Sequence, residues 1–253
     1  MIESAENNLI KNITKLKDKK YRDEQKLFVI EGERFVDEII NFDVVQYVIS
    51  EDYSKKQKYG ENAIIVKNHL FKKMCDTVNP QGVLAVCKQK KYDIKDIINV
   101  DNPFIVVGEK ISDPGNLGTI IRTAHASGAS GIILSTHSTD IYNPKVLRST
   151  AGSIFHLPII TDINLNECIP QLKDYGFNLF GAHLSGRTVP YNLDLKKSTA
   201  LVIGNEANGL TQSTSDLLHD LVKIPMPGGA ESLNASVACG ILMYEIVRQR
   251  YTP

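Results

Sequence analysis

The sequence predicts an α/β protein in two parts, a small α/β unit followed by a larger unit built on a parallel sheet. Short apolar segments alternate with helical segments along the chain, and this alternation is typical of layered α/β folds. Among the strands predicted after residue 100, 104–107 is wholly apolar and 199–203 is apolar apart from Thr199, which indicates a parallel sheet covered on both faces. With 42% hydrophobic residues among 253, the chain can build cores without disulfides or metals.

The first part is predicted from periodicity and turn residues. Apolar residues at helical spacing predict a helix over 9–17, and another follows Glu31-Gly32 through Val36, Ile39 and Ile40. Strands are predicted at 27–30, 44–49, 63–66 and 83–87, with a helix over 69–75. The lysine-rich stretch 88–103 ends in Asp-Asn-Pro and is predicted to be a linker or domain boundary. We therefore expect domains at 1–98 and 99–253.

The second part has longer and clearer signals. Strands are predicted at 104–107, 131–134, 177–182, 199–203 and 221–224, and helices over 115–127 and 235–250. No internal repeat is visible.

Composition excludes several classes of protein. No apolar run approaches the ~18 residues of a membrane span, and the N-terminus lacks the apolar core of a signal peptide. The four cysteines form no CxxC pair and the six histidines form no ligand pattern, which argues against a disulfide framework and a zinc site. We expect a cytoplasmic protein without a metal.

A basic strip lies near the N-terminus although the net charge is zero. Residues 9–26 contain seven basic side chains and three acids. Such a strip can track the phosphates of a nucleic acid, or it can be a solvated helix face. The strip alone does not decide between these interpretations.

The first of three motifs in the second part occupies residues 110–124. Its turn, Asp113-Pro114-Gly115-Asn116, is predicted to cap a helix. Arg122 follows among Ile120, Ile121 and Ala124, where a charge is unfavourable without a partner or a function. A structural ion pair is the alternative interpretation.

The second and third motifs each follow a predicted strand. Gly204-Asn205-Glu206 comes where open α/β sheets bind ligands, and Gly204 can let a ligand approach the backbone, although an ordinary turn has the same pattern.

The third motif is a Pro/Gly loop with Ser232 and Asn234 at the mouth of a helix, where either can be a simple N-cap. The small residues over 235–240 permit close packing against another helix or a partner subunit.

In order and spacing these motifs resemble the three signature motifs of the SpoU family, the 2′-O-ribose methyltransferases of the SPOUT superfamily. The resemblance covers about residues 104–250. Residues 9–87 resemble the family's small, ribosomal-protein-like substrate-binding domain, through Lys19-Lys20, Arg22 and 28–32. The resemblance implies a trefoil-knotted α/β domain, S-adenosylmethionine as cofactor, RNA as substrate and a homodimer formed through the first and last helices of the domain.

The resemblance also implies site residues. It places the cofactor pocket at Gly204, Ile224 and Leu233, with Leu184 as a further member. It assigns catalysis and RNA handling to five polar residues: Asn116, Arg122, Glu206, Ser232 and Asn234. Because a guanidinium stays protonated at neutral pH and is a poor base, we expect Arg122 to clamp the target phosphate and orient the 2′-oxygen, with Asn116 and Glu206 positioning it.

Other functions stay open to different degrees. A Rossmann-type dehydrogenase needs G-x-G-x-x-G after its first strand, but that position here reads Asp-Pro-Gly-Asn-Leu-Gly. A non-catalytic, ribosome-associated RNA-binding protein is an alternative to the enzyme, and transfer RNA is an alternative substrate. The separate N-terminal domain favours large-subunit ribosomal RNA by analogy.

Overall fold

A computed structural model describes residues 1–39, 42–60 and 63–251. The chain forms two compact units. The first comprises Met1–Lys90 and Tyr142–Phe155, and the second Lys91–Ile141 and His156–Pro253. The division falls inside the predicted 88–103 boundary segment, and the domain limits at 98/99 stay a prediction.

The first unit is built on a four-stranded sheet in the order β1-β4-β2-β3. β4 pairs antiparallel with both β1 and β2, and β3 pairs parallel with β2. All four strands were predicted within two residues of their limits. The predicted helix through Ile40 is shorter in the structure, and Ile40 itself lies outside the described residues. The elements are α1 (Asn8–Lys15), α2 (Lys19–Gln25), β1 (Leu27–Glu31), α3 (Glu33–Asp37), β2 (Val44–Ser50), β3 (Ile64–Val66), α4 (Asn68–Met74) and β4 (Val83–Lys88).

The segment Tyr142–Phe155 packs in the first unit although it comes much later in the chain. Its Tyr142 ring lies 4.3 Å from that of Phe28, and Phe155 makes an edge contact with Phe42 at 5.4 Å. Nothing in the local sequence pattern indicated this return of the chain, because it depends on contacts distant in sequence.

Two members of the basic strip have structural roles. Arg22 is 3% exposed and donates hydrogen bonds to the Leu16 and Lys17 carbonyls at 2.8 and 2.7 Å. The Lys17 ammonium donates to the Lys73 carbonyl at 3.0 Å and to that of Cys75, at the end of α4. Neither the phosphate-tracking nor the solvated-face interpretation holds for Arg22, because it is buried.

The second unit is built on a six-stranded sheet in the order β10-β8-β9-β5-β6-β7, and every neighbouring pair is parallel. The predicted parallel sheet is therefore confirmed. β7 was not predicted, and β10 ends two residues earlier than predicted. The elements are α5 (Lys95–Ile98), β5 (Phe104–Gly108), α6 (Pro114–Ala126), β6 (Gly131–Ser135), α7 (Pro144–Thr150, in the first unit), β7 (Ile159–Ile163), α8 (Leu165–Asp174), β8 (Asn178–Ala182), β9 (Thr199–Ile203), α9 (Gln212–Asp216), β10 (Asp220–Val222) and α10 (Ala235–Tyr251).

Part of the predicted linker is folded into the core of the second unit. α5 lies within the stretch 88–103, and its Ile97 side chain is fully buried beside Ile105 and Ile133. A linker interpretation of the whole stretch is therefore wrong. The lysines obscured the apolar positions of a single helical turn, which is too short for periodicity to reveal.

The sheet places the three motifs at one edge. β5, β9, β8 and β10 are successive neighbours and run parallel, so the loops after them leave from the same carboxyl edge, where open α/β sheets bind ligands. Among the described residues no helix is long and apolar enough to cross a membrane. The pairings alone do not test the trefoil knot, which stays a prediction.

Candidate active site

A clasp centred on Glu206 joins the loop after β9 to the start of α6. The Glu206 Oε2 accepts hydrogen bonds from the Ser112 backbone N–H at 3.2 Å and from the Ser112 hydroxyl at 2.9 Å. Its Oε1 accepts from the Asp113 N–H at 3.2 Å and from the Asn116 Nδ2 at 3.1 Å. Asp113 in turn caps α6 by accepting the Asn116 N–H at 2.7 Å, as predicted for this turn. One carboxylate thus binds the first motif to the second.

Asn116 extends the clasp to the third motif. Its Oδ1 accepts a hydrogen bond from the Asn234 Nδ2 at 2.9 Å. The Asn234 Oδ1 accepts from the Ser236 N–H at 2.9 Å, the Ser236 hydroxyl at 2.7 Å and the Val237 N–H at 3.3 Å, so Asn234 caps the start of α10. The side chains of Glu206, Asn116 and Asn234 therefore form a continuous chain of hydrogen bonds through all three motifs.

The charge state of Glu206 follows from these contacts. Burial opposes ionisation, but hydrogen bonds outweigh it and hold the pKa of the carboxyl below its ordinary value of 4.5. The donors are the Glu206 backbone N–H, the Asn116 side chain, and the side chain and backbone of Ser112. At neutral pH the group is a carboxylate whose lone pairs are already engaged. It is therefore suited to holding loops together rather than to accepting a proton from substrate.

Two further residues support the loop after β9: Asn205, which lies in the second motif but had no role assigned from the sequence, and Glu109, which sequence reasoning missed. The Asn205 Nδ2 donates to the Lys110 carbonyl at 2.8 Å, while its Oδ1 accepts the Ala207 N–H at 3.0 Å. Glu109 is 5% exposed and accepts from the Thr211 N–H and hydroxyl at 2.9 and 2.7 Å and from the Thr214 hydroxyl at 2.9 Å. The available signal was a Glu directly after a buried strand, which must find partners.

Arg122 does not lie where its apolar neighbours suggested. Its side chain is exposed, whereas Ile120, Ile121 and Ala124 face the core. The expectation that Asn116 and Glu206 position Arg122 is not supported, because the Asn116 amide is engaged by Glu206 and Asn234. Arg122 comes six residues after Asn116 on α6, a rise of about 9 Å. Its guanidinium is available to a ligand at the surface.

Gly204 is required by the chain's own backbone. A Cβ atom there would lie 2.1 Å from the Gly209 carbonyl carbon and 2.3 Å from the Leu210 nitrogen. Gly209 and Asn205 close this turn with reciprocal backbone hydrogen bonds of 3.0 and 2.8 Å. Residues 209–210 therefore leave no room for a side chain at position 204, and the glycine shapes the loop; the cofactor contact predicted at Gly204 stays a prediction.

The remaining pocket candidates lie after two of the strands, β8 and β10. Leu184 follows β8 and is 54% exposed, Ile224 follows β10 and is half-buried, and Leu233 precedes α10 and is 37% exposed. The His183 N–H donates to the Val222 carbonyl at 3.0 Å, which holds the loop after β8 against the end of β10. Ser232 is exposed, and Asn234, not Ser232, caps the helix.

These residues fit a partly apolar cofactor such as S-adenosylmethionine. Exposed leucines at the carboxyl edge offer apolar surface for an adenine ring, and the loops supply backbone donors and acceptors. Within the described ranges no group of three or more His, Cys, Asp or Glu side chains is arranged to hold a metal ion.

Comparison with known proteins gives the same assignment. Residues 103–244 match the model of the SpoU rRNA Methylase family, and residues 7–85 match the MRM3-like substrate binding domain. The chain is 32% identical over 252 residues to the 23S rRNA (guanosine(2553)-2′-O)-methyltransferase RlmP of Bacillus subtilis, covering 97% of this chain and 98% of the relative.

Two solved structures extend this similarity to the fold. An AdoMet-bound rRNA methyltransferase from Sinorhizobium meliloti superimposes with a TM-score of 0.89 at 31% identity, covering 100% of this chain and 98% of the other. The SpoU methyltransferase AviRb from Streptomyces viridochromogenes, in complex with AdoMet, gives 0.88 at 28% identity, covering 96% and 98%. The chain therefore belongs to the SpoU rRNA methylase family and is an S-adenosylmethionine-dependent methyltransferase.

Proposed function

We propose that this protein methylates the ribose 2′-hydroxyl of a guanosine in large-subunit ribosomal RNA, in the cytoplasm. The full-length similarity to RlmP, whose name specifies guanosine 2553 of 23S rRNA, supports this substrate. The observation that carries the proposal is the Glu206–Asn116–Asn234 chain of hydrogen bonds, which unites the three motifs at the carboxyl edge. Residues 1–98 would bind the RNA and residues 99–253 would carry the reaction.

The cofactor would lie against the loops after β8, β9 and β10. Leu184, Ile224 and Leu233 would contact its apolar parts, and the Gly204 turn would set the shape of the loop beside it. S-adenosylmethionine supplies a methyl group already activated by a sulfonium. The protein therefore has to align the ribose oxygen with that methyl, and such alignment can contribute roughly 7–11 kcal/mol.

The polar residues would divide the remaining work. The exposed Arg122 guanidinium would bind the target phosphate through two hydrogen bonds and stabilise negative charge developing on the 2′-oxygen. Asn116, Glu206 and Asn234 would hold the three loops in place, and the exposed Ser232 would contact the nucleotide. Arg122 would not act as the base, because guanidinium stays protonated.

A homodimer through α10 accompanies this proposal. Val237, Ile241, Tyr244 and Tyr251 are 50%, 41%, 51% and 78% exposed, and their spacing of 4, 3 and 7 places them on one face of α10. A second copy of the chain would cover this apolar stripe. Gly240 also faces a contact within the chain, since a Cβ there would lie 3.7 Å from the Thr123 Cγ2.

A methylation assay tests the proposal. Purified protein and labelled S-adenosylmethionine would be incubated with unmodified 23S rRNA and, separately, with bulk transfer RNA, and the methylated ribose would be mapped by its resistance to alkaline cleavage. We expect one site in 23S rRNA at the equivalent of guanosine 2553. Methylation of transfer RNA alone would replace the substrate, and absence of cofactor binding by calorimetry would favour the non-catalytic RNA-binding protein.

A further inference from the structure

The structure separates the N-terminal basic strip into engaged and available cations. Lys11 pairs with Glu6, and Lys19 lies 3.3 Å from the Asp23 carboxylate. Lys17 and Arg22 donate to backbone carbonyls, as described above. Within the part of the chain that the structure describes, the remaining three lysines, Lys15, Lys20 and Lys26, have no ion pair. Most of the strip is thus already neutralised or buried, which leaves a small local site rather than a broad basic face.

Lys15 and Lys20 flank a single aromatic ring. Their ammonium nitrogens lie 5.4 and 5.8 Å from the centroid of the Tyr21 ring. Both lysines are exposed and Tyr21 is partly exposed. The Asp18 carboxylate accepts the Lys20 N–H at 2.9 Å and caps α2, which fixes the backbone between the two lysines. The nearby acid Asp23 is paired with Lys19, so Glu24 is the one acid of α2 without an ion pair among the described residues.

This arrangement matches the chemistry of unpaired RNA. A base can stack on an aromatic ring whatever its identity, and the flanking phosphates are bound by lysines. A protein partner would have to desolvate two adjacent like charges, which is unfavourable. Charge complementarity therefore favours a polyanion with exposed ring faces.

We propose that Lys15, Lys20 and Tyr21 form a binding site for an unpaired stretch of the substrate RNA, away from the methylated nucleotide. On binding, the two lysines move from the Tyr21 ring to the phosphates on either side, and the ring stacks on one base. This inference rests on the proposed function, since it takes the substrate to be RNA, and it assigns to three residues a contact that holds the RNA without taking part in methyl transfer.

The test measures equilibrium binding of the full-length protein to a fluorescent, short single-stranded oligouridylate, without cofactor and over a range of salt concentrations. For the double variant Lys15→Gln/Lys20→Gln we expect weaker binding and a slope of log K against log[salt] that is smaller by about 1.4, or about 0.7 for each lost phosphate contact. The matched control, Lys11→Gln/Lys19→Gln, removes the same charge from pairs already neutralised, and we expect a slope close to that of the unmodified protein.

The ring is tested separately from the charges. Tyr21→Leu should weaken binding on the order of tenfold or more without changing the salt slope, because stacking carries no counterion release, and Tyr21→Phe should retain affinity. Equal losses in the two double variants, or full affinity in both Lys15→Gln/Lys20→Gln and Tyr21→Leu, would overturn the inference. S-adenosylmethionine affinity, measured on the same proteins by calorimetry, should be unchanged in all variants. If the unmodified protein binds the cofactor but methylates no RNA, the proposed function fails. The oligouridylate measurements still decide whether Lys15, Lys20 and Tyr21 form an RNA-binding site.

Discussion

Replacing Glu206 with Gln tests the clasp directly. In the structure each carboxylate oxygen accepts two hydrogen bonds from the first motif, Oε1 from Asp113 and Asn116 and Oε2 from the two donors of Ser112. Glutamine keeps one oxygen and turns the other into an NH₂ group, which would face donors. The Oε2 atom also accepts a hydrogen bond from the Asn205 Nδ2 at 3.3 Å. The glutamine amide therefore keeps most of its contacts by placing its oxygen at the Oε2 position, and the two hydrogen bonds to Oε1 are lost.

The expected loss of stability is modest because the carboxylate is partly exposed. A buried hydrogen bond to a charged group contributes about 1.5–3 kcal/mol to stability. Water replaces part of this contribution at the Glu206 carboxylate, so we assign roughly 0.5–1.5 kcal/mol to each of the two hydrogen bonds that are lost. The free energy of unfolding in urea should therefore fall by about 1–3 kcal/mol. Glu231→Gln, an exposed change in the third motif's loop, should leave it within about 0.5 kcal/mol.

The pH dependence gives an independent check with a definite sign. The pKa of Glu206 is lowered in the folded protein, so its stabilisation is fully present above the unfolded value of about 4.5 and is lost as the pH falls through the lower folded value. The difference in stability between the unmodified protein and Glu206→Gln should thus be constant down to about pH 4.5 and then shrink. A difference that is absent at pH 7, or that grows on acidification, would refute the clasp.

Three further substitutions test other parts of the site. Arg122→Lys should lower kcat by on the order of 10-fold or more while the cofactor Kd is unchanged, because lysine cannot make the bidentate contact; steady-state kinetics and calorimetry measure the two. Gly204→Ala should lower the free energy of unfolding by about 3 kcal/mol or more, because the new Cβ would lie 2.1 Å from the Gly209 backbone; urea unfolding measures it. Ile241→Asp should convert a dimer to a monomer in sedimentation velocity, since it places a charge in the α10 stripe.

Each of these three has a control in the chain. Arg34→Lys changes an exposed arginine of the first unit and should leave kcat unaltered. Gly228→Ala adds a Cβ with no atom within 4 Å and should leave stability unaltered. Val78→Asp places the same charge at another exposed apolar residue and should leave the oligomeric state unaltered. A fully active Arg122→Lys, a stable Gly204→Ala or a dimeric Ile241→Asp would each contradict the role assigned to that residue.

The sequence by itself determined the fold class, the strand positions and the three motifs. Strands such as β5 and β9, which are apolar apart from Thr199, predicted a buried parallel sheet because the apolar side chains on both faces must be covered. The turn before α6 predicted its cap because Asp, Pro and Asn favour that backbone locally. These are short-range effects, so they are visible in a short window of sequence.

Only the tertiary structure decided which side chains meet. Glu206 and Asn116 are 90 residues apart and Asn234 is 118 residues from Asn116, and no local pattern records that they share hydrogen bonds. The same holds for Arg22, which reads as a surface cation but is buried on backbone carbonyls, and for Arg122, which reads as part of an apolar run but is exposed. Local sequence sets the conformation of each segment, whereas burial and partners depend on how distant segments pack, because desolvation and hydrogen bonding are properties of the folded surroundings.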